Sequence, residues 1–240
     1  MRPEHLTQLW VYLSTTPLFW LTTTLVAYQC ADWLFKRSGS NPLCNPVLIS
    51  VVLIAVLLTI SGTEYQTYFS GAQFVHFLLG PATVALAVPL YRQINAIRKS
   101  FLAISVSLIS GSVIAILSAI AIAKGLGASQ TVVLSLAPKS VTSPIAMGIS
   151  EQIGGLPSLT AVVVIITGIV GATFGGWVLD RMRVKDEMAR GLALGVAAHG
   201  IGTARAMHMS PVSGAFAGLA MGLNGLATAL LLPALIGLLF

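Results

Sequence analysis

Long apolar runs separated by short charged segments are the feature that most constrains the fold of this chain. Hydrophobic residues make up 56% of its 240 residues and charged residues only 8%, whereas about a quarter of a soluble domain is charged. A chain this apolar cannot cover itself with polar groups, so its solvent must be lipid. We therefore expect an all-α polytopic membrane protein with at most roughly seven or eight crossings, at about 20 apolar residues each.

Four apolar runs predict four N-terminal transmembrane helices, over residues 9–35, 46–61, 73–91 and 101–123. Pro17 predicts a kink in the first helix, and the Gly80-Pro81 pair predicts a bend in the third. The first run is too long for a cleavable signal peptide and lacks a small-residue cleavage site. We expect it to be retained as a helix.

The basic residues predict the orientation in a bacterial cell (inner) membrane. Nine of the thirteen lysines and arginines follow predicted helices one and three or fall between residues 180 and 190. They are Lys36, Arg37, Arg92, Arg98, Lys99, Arg181, Arg183, Lys185 and Arg190. Cytoplasmic loops carry an excess of lysine and arginine, so these segments should be cytoplasmic and the N-terminus outside. Because the basic residues lie in short loops without interleaved aromatic residues, the net charge of +6 does not indicate nucleic-acid binding.

No pattern in the sequence indicates an enzyme or a metal protein. Cys30 and Cys44 make neither a disulfide framework nor a metal site, and His76, His199 and His208 are too scattered to form one. There is no nucleophile elbow, phosphate-cradling loop or pair of acids. We expect no catalysis, no cofactor and no nucleotide-driven pumping.

An apolar segment over residues 130–156 is interrupted by Pro138-Lys139-Ser140-Val141-Thr142-Ser143-Pro144. Two prolines, a lysine and three hydroxyls cannot lie in one lipid-facing helix. Irregular backbone at membrane depth is tolerated only where it is buried in protein or lines a wet cavity. The segment is therefore either a re-entrant hairpin or a crossing helix that is broken. A complete apolar helix, residues 158–179, follows it.

The same pattern recurs 60 residues later, where residues 191–210 are interrupted around His199 and precede an apolar run, 212–239. Five of seventeen residues from Leu134 onward are identical at this offset, and Lys139 pairs with His199. The basic residues place the entries of the two segments on opposite faces. We therefore predict N-terminal scaffold helices (1–124) and a transport core (125–240) built as an inverted repeat, 130–180 and 190–240. Paired interrupted segments indicate a transporter site near the midplane.

Lys139 and Arg205 are the strongest candidates for binding residues. A cation at membrane depth costs about 2.5–3.5 kcal/mol, so it is usually functional. Glu151 is the one carboxylate within the interrupted segments, and half-helix N-termini add positive potential. These features predict an anion site, in which the planar fork of arginine suits a carboxylate. Alternatively, Lys139 snorkels to the interface and Arg205 pairs with Glu151.

The remaining candidates are polar side chains in the two interruptions. Those with hydroxyls either bind the substrate or satisfy backbone groups freed at the breaks; they are Ser140, Thr142, Ser143 and Thr203. His199 either carries a coupling proton or is a hydrogen-bonded structural residue. Glycines four residues apart, as at Gly214 and Gly218, allow close helix packing within the monomer or, alternatively, in a homo-oligomer.

Three segments resemble the signatures of the LrgB/CidB family: PKSVTSPIAM at 138–147, HGIGTARA at 199–206 and GPATVALAVPLY at 80–91. The likeness spans about residues 40 to 235. Family members commonly have serine where this chain has Ala198 and threonine where it has Ser143. Both differences leave the basic residues unchanged, so they bear on fine selectivity and not on class.

The resemblance implies two different functions. One is a holin/antiholin-like modulator of murein hydrolase activity and autolysis, acting with a small LrgA/CidA-type membrane protein. The other is a carrier of small carboxylates such as pyruvate, lactate, glycolate or glycerate. The interrupted segments with their cations favour the carrier, because a simple lesion-forming protein does not need them. Effects on lysis would then follow from altered carboxylate flux.

Overall fold

The computed structural model describes residues 16–39, 44–78, 81, 84–85 and 87–239. Within these ranges all regular secondary structure is helical, which confirms the all-α prediction. The chain divides into two compact units, Met1–Ala85 and Leu86–Phe240.

The first unit contains α1 (Pro17–Arg37), α2 (Pro46–Ser61) and α3 (Tyr65–Phe77). Pro17 begins α1, after an extended Thr16, and so does not kink it; proline is well suited to a first helical position. The predicted range of α2 is confirmed. Asn45 caps this helix by accepting from the backbone N–H of Val47 at 2.9 Å, and Gly62 ends it with φ 62°.

The third predicted helix, 73–91, differs from the structure. The helix α3 begins earlier, at Tyr65, and ends at Phe77, with Leu78 as its C-cap. Residues 81 and 84–85 are also helical, and the next helix described without a gap is Ala87–Arg92. The bend predicted at Gly80-Pro81 lies outside the described residues. A hydropathy run does not reveal where α3 begins, because Tyr65 to Phe69 is aromatic and polar in composition.

The second unit contains eight described helices, namely α4 (Ala87–Arg92), α5 (Ile94–Lys99), α6 (Phe101–Gly125), α7 (Gln130–Leu136), α8 (Ser143–Gln152), α9 (Pro157–Arg181), α10 (Glu187–Met209) and α11 (Pro211–Leu239). Among all described helices, α6, α9 and α11 are long and apolar enough to cross a membrane. The chain is therefore a polytopic membrane protein.

Both predicted interruptions are present. The first break, residues 137–142, separates α7 from α8. The second break lies inside α10, where Ala198 (φ −129°, ψ 15°) and His199 (φ 42°, ψ −130°) leave helical geometry. The inverted relation of the two segments stays a prediction, as does the functional division at residue 124; the structure groups α6 with the second unit.

An apolar cluster packs α6, α7, α8 and α11 together around the first break. Its buried members include Ile116, Val133, Ile149 and Leu232. Close to this cluster, the buried Thr160 hydroxyl contacts both the Ser135 carbonyl at 2.9 Å and the Ser150 hydroxyl at 2.7 Å. These contacts attach α7 and α8 to the start of α9, so the first break is held on both sides by packed helices.

Candidate functional site

Lys139 lies half-buried in the first break, and its Nζ donates to Ser140 Oγ at 3.3 Å. Both residues line a groove of about 730 Å³, called here the Lys139 groove. Its other walls are the first half of α6, the end of α9, the first half of α10 and Phe216 of α11. The groove therefore runs from helix ends near the basic segment 180–190 to the depth of the first break.

The walls of the Lys139 groove are mostly apolar. They include Ile104, Leu108, Leu179, Val196 and Phe216. Asp186 lies at the opposite end from Lys139, where it caps α10 by accepting from the N–H of Ala189 at 2.8 Å. A cation at the inner end of an apolar groove matches the shape and charge of an anion with an apolar body.

His199 occupies the second break with only 5% of its surface exposed. Its Nε2 lies 2.9 Å from the Val164 carbonyl oxygen. Because a carbonyl oxygen only accepts, Nε2 carries the hydrogen and Nδ1 is the second polar atom of the ring. Thr203 Oγ1 donates to the His199 carbonyl at 2.8 Å, so this hydroxyl satisfies a backbone group, as in the structural alternative given for it.

Asn224 in α11 is a site residue that sequence analysis missed. It is 1% exposed, and its Nδ2 donates to the Ser140 carbonyl at 3.1 Å and to the Val196 carbonyl at 3.2 Å. One side chain thus bonds to the first break and to the turn that precedes the second. A lone asparagine in a glycine-rich apolar helix gives no local signal of this contact.

Val164 in α9 contacts both breaks as well. Its side chain packs in a buried cluster with Val141 and Ala146, on either side of the start of α8, while its carbonyl accepts from His199. The two breaks are therefore neighbours, joined by Val164 on one helix and by Asn224 on another.

The predicted site residues fall into three places. Lys139 and Ser140 share the Lys139 groove, and His199 in the second break is bonded through its backbone carbonyl to Thr203, one turn later. The remaining three do not line that groove and are half-buried: Thr142, Ser143 and Arg205. Thr142 and Ser143 begin α8, and Arg205 lies in the second half of α10. A shared carboxylate site of Lys139 and Arg205 stays a prediction.

Comparison with known proteins identifies the family. The model of the LrgB-like family matches residues 24–238. Two relatives, both named antiholin-like protein LrgB, come from Bacillus cereus (strain B4264) and Bacillus anthracis (strain CDC 684 / NRRL 3495). Each is 34% identical over 218 residues, which cover 91% of this chain and 95% of the relative. No solved structure matches. This membrane-embedded chain belongs to the LrgB-like family.

Proposed function

We propose that this protein is a secondary carrier of small monocarboxylates across the bacterial cell (inner) membrane. The observation that carries the proposal is Lys139 at the inner end of a groove of about 730 Å³ between helices. A carboxylate bound to the Lys139 ammonium gains a charge-assisted hydrogen bond. A groove between helices that reaches a helix break is the arrangement expected of a carrier that binds its substrate near the midplane.

The charges and walls of the Lys139 groove favour anions with one carboxylate. Lys139 supplies one cation at the inner end, and the other charged residue that lines the groove, Asp186, is an anion. The apolar side chains between them do not compensate the desolvation of another charge. We therefore favour pyruvate, lactate, glycolate or glycerate over dicarboxylates. No catalytic step and no cofactor is part of the proposal.

Transport measured in vesicles tests the proposal. The full chain is reconstituted with and without an LrgA/CidA-type subunit, the partner that we propose for it, and uptake of labelled pyruvate, lactate and glycolate is compared with uptake of succinate. We expect saturable uptake of the three monocarboxylates, reduced in a Lys139→Ala variant. The absence of uptake with and without that subunit would overturn the proposal.

A second candidate function is antiholin-like modulation of murein hydrolase activity. It is supported by the name of the relatives, antiholin-like protein LrgB. The two candidates differ in what Lys139→Ala does in cells that autolyse. If the lysis effect follows from carboxylate flux, the variant loses uptake and the lysis effect together. If modulation is the primary role, the variant keeps its effect on hydrolase activity although uptake is lost.

A further inference from the structure

Asn224 is the described side chain that hydrogen-bonds to both interrupted segments. Its Nδ2 lies 3.1 Å from the Ser140 oxygen and 3.2 Å from the Val196 oxygen. The amide orientation is defined by these neighbours, because the reverse orientation would bring Oδ1 against two carbonyl oxygens. Both hydrogens of the amide are used on carbonyl groups that belong to different segments of the chain.

Among the described residues, the Asn224 side chain forms hydrogen bonds through its nitrogen only. Its Oδ1 is buried and has no hydrogen-bond partner among the described residues. A buried acceptor left unsatisfied is costly and needs an explanation. The amide nitrogen bonds two carbonyl groups while the amide oxygen stays without a partner among the described residues. Its role is therefore better explained by holding those two carbonyl groups in position.

The carbonyl of Ser140 is adjacent in the chain to Lys139, whose ammonium contacts the Ser140 hydroxyl. The hydrogen bond from Asn224 to the Ser140 carbonyl therefore restricts the position of the backbone from which the Lys139 side chain extends. Val196, the second partner, is itself a wall of the Lys139 groove. Asn224 thus connects the backbone next to Lys139 with Val196 in the wall of the groove.

We propose that Asn224 is a positioning residue for anion binding: its amide holds the first break against α10 and so sets the Lys139 ammonium at the inner end of the groove. The proposal rests on the proposed function for its substrate. A carboxylate bound by a displaced lysine pairs less well, since charge-assisted hydrogen bonds depend on distance and direction. Asn224 acts through Lys139 and does not touch the substrate.

A double-mutant cycle tests this role, with pyruvate as the probe and the purified full chain. Asn224→Leu removes the amide at similar volume and should weaken pyruvate binding about tenfold. In a Lys139→Ala background it should cause no further loss, because coupled residues are not additive. The matched control is Thr228→Val, one turn further along α11, which removes a 3.2 Å contact with Ser112 and should leave affinity unchanged. The same loss in both backgrounds, or no loss, would overturn the proposal.

A second measurement does not depend on the substrate. In a protein whose native cysteines are replaced by serine, maleimide labelling of Lys139→Cys reports the position of the first break. Adding Asn224→Leu should change the labelling rate several-fold, and adding Thr228→Val should not. If pyruvate does not bind at all but the labelling rate shifts, the positioning role stands and the proposed substrate is wrong. If Asn224→Leu does not fold, Asn224→Ser, which keeps one shorter donor, should also change the labelling rate relative to the Lys139→Cys protein, and an unchanged rate would overturn the role.

Discussion

The imidazole of His199 lies directly against Gly168 of α9. A Cβ at Gly168 would meet His199 Cε1 at 2.7 Å and Nε2 at 2.9 Å. The ring is also held by the Val164 carbonyl, one turn before Gly168 on the same helix. Absence of a side chain at Gly168 is therefore what allows the second break to pack against α9.

We expect Gly168→Ala to displace this ring and weaken its bond to Val164. Overpacking a tight contact typically costs about 1–3 kcal/mol, so thermal unfolding in detergent should occur at a lower temperature. Gly176→Ala is the matched control on the same helix, because nothing lies within 4 Å of its Cβ position. Alanine there should be neutral or stabilising by up to about 1 kcal/mol. Equal unfolding temperatures for both variants would contradict the close contact between the His199 ring and Gly168.

The sequence predicts that Arg205 as well as Lys139 binds the substrate carboxylate, although Arg205 does not line the Lys139 groove. Arg205→Ala removes a charge-assisted pair worth about 1.5–3 kcal/mol, so carboxylate affinity should fall roughly tenfold to a hundredfold. Arg205→Lys keeps the charge without the planar fork and should recover part of the loss. Lys139→Ala should also weaken binding. Titration calorimetry of the purified variants measures these affinities.

Two control variants separate binding from folding in that series. Lys124→Ala changes an exposed cation outside both breaks and should bind normally. Glu151→Gln tests the alternative that Arg205 has a structural acid partner: that alternative predicts an unstable protein, whereas a substrate role predicts a folded protein that still transports. Normal affinity in a folded Arg205→Ala variant would end its assignment as a binding residue.

Transport should follow a proton gradient more than a sodium gradient. Glu151, the carboxylate within the interrupted segments, is exposed at the end of α8, so a sodium site would depend on carbonyl and hydroxyl oxygens. His199 is the candidate proton carrier, since histidine is the side chain whose unperturbed pKa lies nearest neutrality. Uptake into vesicles should rise when the outside is made acidic, and His199→Asn should reduce that response. Uptake that tracks sodium and ignores the pH gradient would count against this mechanism.

Thiol labelling tests the predicted orientation. The helix α6 has 25 residues, about 37 Å at 1.5 Å per residue, which exceeds the roughly 30 Å of the hydrocarbon core. Lys99 precedes α6 and Lys124 lies in its last turn, so the two residues should lie on opposite faces. In a chain without native cysteines, an impermeant maleimide should label Lys124→Cys in intact cells. Lys99→Cys should react only after permeabilisation, and the reverse pattern would invert the topology.

Local composition was sufficient for α2 and for the two interruptions. Residues 46–61 are mostly apolar and lie between Asn45 and Gly62, so both ends of α2 were predicted correctly. Pro138 and Pro144 indicated the first break, because proline lacks the backbone N–H that a continuous helix needs. The start of α3 was missed because an amphipathic aromatic segment carries no long hydropathy signal.

The sequence by itself determined that the chain lies in a membrane, that its later half is interrupted twice, and that cations accompany the interruptions. Those properties follow from hydropathy, proline, glycine and charge, which act over a few neighbouring residues. The tertiary structure decided which groups meet. Asn224 reaches Ser140, 84 positions away, and the His199 ring fits over Gly168. Such contacts depend on how α9, α10 and α11 pack against one another, and packing between helices is not encoded in the local pattern of any one of them.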